Sequence, residues 1–126
     1  MKNRFLLIPL FLCSMLLSCS LKRTNLTPSK PTSVPSGAFW KGGIDGGHWF
    51  LVKDIHPHQN MAEINIYNDY DGSLVTASTF ILVCSAHKQS LIEDLPNQID
   101  NYDGEKISLI KSATSNCYLQ PKRKIN

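Results

Sequence analysis

The first 37 residues of this 126-residue chain limit what it can fold into, because neither of their two parts can supply a core. Lys2 and Arg4 give a positive start, followed by an apolar stretch from Phe5 through Leu17 that is interrupted only by Pro9 and Ser14. This stretch is too short to cross a bilayer comfortably as a permanent helix, and residues 1–18 read as a signal peptide. Residues 20–37 carry Pro28, Pro31 and Pro35 among serine, threonine, lysine and asparagine, with no aromatic side chain and few aliphatic ones. Such a composition cannot bury enough apolar surface to fold. It reads as an extended tether reaching on the order of 50 Å, at about 3.1 Å per residue. The folding unit is thereby confined to residues 38–121, one small domain, with a basic tail over 122–126.

The apolar stretch ends in Leu16-Leu17-Ser18-Cys19, which resembles the lipobox of bacterial lipoproteins: a leucine three positions before the cysteine and a small residue directly before it. The resemblance implies that a diacylglycerol is joined to the Cys19 thiol, that the leader is cut just before it, and that Cys19 becomes the acylated first residue of a mature chain tethered over residues 19–37. Several acyl chains exceed what stable anchoring needs, since each buried methylene contributes about 0.8 kcal/mol. Ser20 resembles the pattern that sorts such proteins to the outer membrane, facing the periplasm. The bland alternative makes Cys13 and Cys19 soft apolar residues of an ordinary secretory leader or membrane anchor.

With Cys13 in the leader and Cys19 claimed by lipid, Cys84 and Cys117 remain the only cysteine pair in the folded part, and a disulfide is the expected use of them. A domain of this size buries only about two thirds of the surface its unfolded chain exposes, so a covalent staple adds useful stability. The net charge of +3 hides an uneven distribution. Between Gly37 and Gln120 there are 5 lysines against all 10 acidic residues, giving −5, while Lys22, Arg23, Lys30, Lys122, Arg123 and Lys124 lie in the flanking segments. A mildly acidic domain with basic ends argues against a nucleic-acid partner. The tether lysines either lie against anionic headgroups or are ordinary solvated linker charges.

Within the domain, aromatic residues flank a glycine-rich centre from Ala38 to Val52, a pattern for two strands and a turn. In residues 62–68, Ala62, Ile64 and Ile66 alternate with polar or amphipathic residues as in a half-buried strand, and Asp69-Tyr70-Asp71-Gly72 reads as a turn. Residues 73–84 return as a strand whose end, apolar on both sides, looks central. Leu91, Ile92, Leu95, Ile99 and Tyr102 recur at near-helical spacing, with Ser90 as a start, Gly104 as a stop and Pro96 as an interruption. Residues 106–110 and 116–119 read as one or two further strands. The expected architecture is α+β: an antiparallel sheet of four or five strands, one helical segment before the last strand covering one face, and one disulfide.

The candidate binding surface is the block holding Trp40, Gly42, Gly43, Gly46, Gly47 and Trp49. Its glycines fit neither the P-loop nor the dinucleotide fingerprint and read first as turn residues, and its tryptophans read as core before they read as an exposed aromatic grip. His56-Pro57-His58 with Asp54 nearby is the best metal candidate, but no third ligand is placed by spacing, and an exposed loop is the simpler reading. His48 and His87 read as isolated surface or cap residues. Asp69, Asp71 and Asp103 stand beside glycines as turn residues, since the twelve-residue calcium loop is absent. No serine sits in a nucleophile elbow, and no catalytic set, metal or cofactor is expected. The sequence points to a non-enzymatic binding or structural module of the cell envelope, anchored to the membrane through Cys19 and partnered by an envelope protein. The alternative is an inhibitor of a cell-wall hydrolase, or a small hydrolase, using the glycine-rich loop as its reactive edge.

Overall fold

The computed structural model describes residues 27–85, 89–110 and 116–125. The leader, Cys19, the start of the tether and His87 lie outside the described residues. Strands β1 (Phe39–Gly43) and β2 (Gly46–His56) form an antiparallel hairpin, with Phe39 opposite Phe50 and Trp40 opposite Trp49. A 3-10 turn, Pro57–Gln59, is closed by Asn60 in the left-handed region and leads into β3 (Met61–Asn68). The following turn is shaped by Asn68, whose side-chain oxygen accepts a hydrogen bond from the Tyr70 amide at 2.8 Å. Strand β4 (Leu74–Val83) then returns beside β3. Two short helices, α1 (Gln89–Glu93) and α2 (Leu95–Gln98), precede β5 (Ile99–Tyr102), β6 (Ile107–Leu109) and β7 (Tyr118–Pro121).

These strands form one seven-stranded sheet in the order β1-β2-β3-β4-β7-β6-β5, antiparallel at every pairing. The sheet curls until β5 approaches β1 and β2, where the His48 and Tyr102 rings meet edge to face at 5.5 Å. The result is a nearly closed barrel. This corrects the expected α+β layout of four or five strands with a helix laid over one face: the described helices span only five and four residues. The physical reason lies at Pro96 and just beyond it. Proline lacks the amide a continuing helix would need, so the chain restarts there and leaves helical geometry at Ile99, whose φ of −61° and ψ of 129° are extended. Leu91, Ile92, Leu95, Ile99 and Tyr102 are all buried, but the last two reach the core from a strand. Gly104, with φ of 92°, turns β5 into β6 and closes no helix.

The barrel interior is filled by Phe50, Ala62, Ile64, Ile66, Phe80, Ile107, Leu109 and Leu119, joined by Leu91, Ile92 and Leu95 from the helices. Pairing of Val83 with Tyr118 brings the next residue of β4 and the preceding residue of β7 face to face, and the Cys84–Cys117 disulfide closes there with Cα atoms 4.2 Å apart. A second, smaller cluster forms on the other face of β2 and β3, where Val34, Trp49 and Tyr67 are buried with Ala38, Trp40 and Leu51 against them. Val34 belongs to the segment read as tether. Residues 31–37 make two tight turns, Val34 N–H to Pro31 O and Ala38 N–H to Pro35 O, each at 3.1 Å, and the Ser33 hydroxyl donates to the Asp71 carbonyl at 3.1 Å. One well-placed aliphatic side chain is enough to dock this proline-rich piece. Among the described residues no helix is long and apolar enough to cross a membrane.

Candidate functional site

The glycine-rich hairpin divides into a buried footing and an exposed tip. Trp49 is only 5% exposed, half-buried Trp40 packs on it with ring centroids 5.4 Å apart, and the pair rests on the cluster around Val34 and Tyr67. The tryptophans therefore hold the hairpin down as the core reading requires, though the Trp49 indole N–H has no protein partner. Towards the tip, Gly42 faces Gly47 across the hairpin so closely that a Cβ on Gly42 would stand 2.5 Å from the Gly46 carbonyl oxygen and 2.6 Å from the Gly47 Cα. Gly46 adopts φ of 109°, which L side chains rarely tolerate. Gly43, by contrast, meets nothing within 4 Å. The turn that these glycines make possible carries Ile44 fully into solvent.

The tip is tied to its neighbour. The Gly47 amide donates to the Asp69 carboxylate at 3.4 Å, linking the β1–β2 hairpin to the β3–β4 turn, where Tyr70 is 93% exposed. Beside them His48 points to the barrel side, its ring 6.3 Å from that of Phe50 as well as against Tyr102. Burial lowers the pKa of His48, and the nearby Asp69 charge opposes that shift only in part. His48 is thus a half-buried closing contact of the barrel, where an isolated surface or cap residue was expected.

The remaining candidates are scattered. His56 lies 3.5 Å from Asp54 and 3.9 Å from Glu63, an exposed set of ion-pair contacts, while His58 sits in the exposed 3-10 turn. No group of three or more histidine, cysteine or acidic side chains among the described residues is placed to hold a metal. Asp71 accepts the Ser73 amide at 2.9 Å, and Asp103 accepts the Glu105 and Lys106 amides at 2.9 Å each. These backbone hydrogen bonds hold both carboxyls below the usual range, with the Ser73 bond leading at Asp71 and the Lys106 bond at Asp103. Both are turn caps. Sequence reasoning missed Tyr70 and Val34. The turn motif absorbed the first, and a composition that cannot fold alone masked the second.

No protein-family model matches the chain, and no similar curated protein or solved structure was found. The residues of the site present a solvent-facing hairpin tip beside a second exposed turn.

Proposed function

We propose that this protein is a lipid-anchored lipoprotein of the bacterial envelope, facing the periplasm from the outer membrane, and that it acts there as a non-enzymatic binding or structural module with an envelope protein as partner. The observation that carries the reading is the Cys84–Cys117 disulfide, which belongs to an oxidising compartment, on a chain whose other two cysteines fall in a leader-like stretch that ends in a lipobox. The nearly closed barrel gives a rigid platform, and the segment from Gly42 to Gly47 with Ile44 is its projecting contact element, with Trp40 and Trp49 as footing.

Palmitate labelling tests the anchor: the wild-type chain takes up label and fractionates with membranes, and Cys19→Ser does neither. A serine variant that keeps both the label and the membrane location overturns the reading. Pull-down from solubilised envelopes tests the module. A stoichiometric envelope protein is expected, whereas recovery of a muramidase or a sugar ligand instead moves the assignment to the inhibitor or hydrolase alternative, for which a fully exposed Ile44 on a projecting hairpin is the fitting feature.

A further inference from the structure

Strand β4 is 10 residues long, and β7 pairs with only its last 4, residues 80–83. One further bond, from the Lys122 amide to the Thr79 carbonyl at 2.7 Å, extends that seam before the chain leaves the sheet as an irregular tail. In an antiparallel sheet, successive residues turn their backbone groups to opposite sides of the strand. The Leu82 amide donates to Asn60 on the β3 side, while the Thr79 carbonyl accepts on the β7 side. Ala77, two positions before Thr79, therefore presents both its N–H and its C=O to the side that β7 does not reach. Among the described residues no strand pairs with residues 74–78 on that side. Ala77 is exposed, and Leu74 and Val75 beside it are about half exposed.

The tail runs along the outer wall next to this open edge. Burial of Ala62, Ile64 and Ile66 inside the barrel puts Glu63 and Asn65 on the outer face of β3. Between these two, Ala77 and Thr79 on one side and the tail from Lys122 to Ile125 on the other lies a groove of about 490 Å³. Lys122, Arg123 and Lys124 are all exposed. The groove holds one carboxylate against them, Glu63, whose Oε1 lies 3.9 Å from His56 Nε2.

We propose that residues 74–78 of β4 form a docking edge for an extended, carboxylate-bearing segment of a partner protein, which adds to the sheet in the row that β7 leaves unfilled. The unpaired N–H and C=O of Ala77 supply the main-chain bonds of such strand addition, and the exposed Leu74 and Val75 supply apolar contact. The tail sets the choice of partner. With three cations facing one carboxylate, the excess charge is positive, so acidic side chains on the added strand are attracted and lysine-bearing strands are repelled. This edge lies on the barrel wall, involves no residue of the glycine-rich tip, and does not depend on a lipid at Cys19.

The test uses the full-length, 15N-labelled chain in detergent micelles, with two synthetic peptides as probes: acetyl-Thr-Glu-Val-Glu-Val-Thr-amide and its counterpart with lysine in place of glutamate. The glutamate peptide should shift the amide signals of Val75, Ala77 and Thr79. At a concentration of about ten times its Kd it should slow hydrogen exchange of the Ala77 amide about tenfold, because only the free fraction exchanges. Reversing the tail charges with Lys122→Glu, Arg123→Glu and Lys124→Glu should weaken binding about tenfold, as three exposed ion pairs together supply. Ala77→Pro removes the edge donor while keeping the bonds to β3, and should abolish binding; if that variant does not fold, the charge-reversed chain carries the test. Four results overturn the proposal: no shift at Ala77 with millimolar glutamate peptide, equal binding of the lysine peptide, shifts gathered at Ile44 and Tyr70, or an Ala77 amide already protected in the free protein by the chain itself or a second copy.

Discussion

Replacing both half-cystines, Cys84→Ala with Cys117→Ala, removes the link between the end of β4 and the start of β7. The two residues are 33 apart in sequence, and chain entropy for a loop of that size is about 12.5 cal/mol/K, or about 3.7 kcal/mol at 25 °C. Cys117 is 2% exposed, so deleting its sulfur adds a small cavity costing about 1 kcal/mol. The variant should therefore be about 4 to 5 kcal/mol less stable in urea melts, with a larger dependence on denaturant because its unfolded state is no longer held compact. Against a typical domain stability of about 5 to 15 kcal/mol that is a large share. Hydrogen exchange should accelerate first in Tyr118–Pro121, which pairs with β4 over only four residues. A loss below about 1 kcal/mol would refute the reasoning. So would two alkyl adducts on the native, unreduced protein, since they would show free thiols where the bridge is placed.

Gly47→Ala drives a Cβ against the Lys41 carbonyl and Gly42 Cα, so thermal or urea melts should show a loss of about 1 to 3 kcal/mol, whereas Gly43→Ala, with open space around it, should cost far less. Lowering the pH also destabilises the barrel through His48. Its native pKa lies below the ordinary value near 6.5, so the unfolded chain binds the proton first, and stability present at neutral pH declines as pH falls through about 6.5 towards the native value. Melting midpoints compared at neutral and mildly acidic pH should show this decline in the wild type and a shallower one in His48→Gln. An unchanged slope would remove His48 from the account.

The local signals in the chain translated directly into structure where a short-range rule governed them. Alternation of Ala62, Ile64 and Ile66 and the Asp71-Gly72 turn became β3, its turn and β4, and the glycines between Trp40 and Trp49 became the hairpin. The cysteine pair was legible by exclusion, and the structure joins Cys84 to Cys117. What failed was longer range. Leu91, Ile92, Leu95, Ile99 and Tyr102 satisfy a helical period and are all buried, yet the burial of Ile99 and Tyr102 comes from pairing with β6, which no spacing within residues 90–102 could announce. Closure of the sheet depends on contacts such as His48 against Tyr102, whose partners are more than fifty positions apart. Within the glycine-rich block, the division between buried tryptophans and projecting tip depends on the packing of Val34 and Tyr67, which lie outside the block and which its own spacing does not announce.

The strand order also sets a schedule. Strands β1 to β4 are joined in sequence and pair as a meander, so they can assemble as the chain emerges, from contacts of modest sequence separation. Strands β5 and β6 can pair with each other next, but among the described residues they join the hydrogen-bonded ladder of the sheet only through β7, which comes after them in the chain and sits between β4 and β6. Until β7 arrives, Phe80, Ile81, Leu82 and Val83 form an apolar stretch with one side unpaired, open to the wrong neighbours. Biogenesis is therefore gated by the final few residues of the domain. Lesions there should act chiefly on yield, through aggregation during folding, more than on the properties of the molecules that do fold.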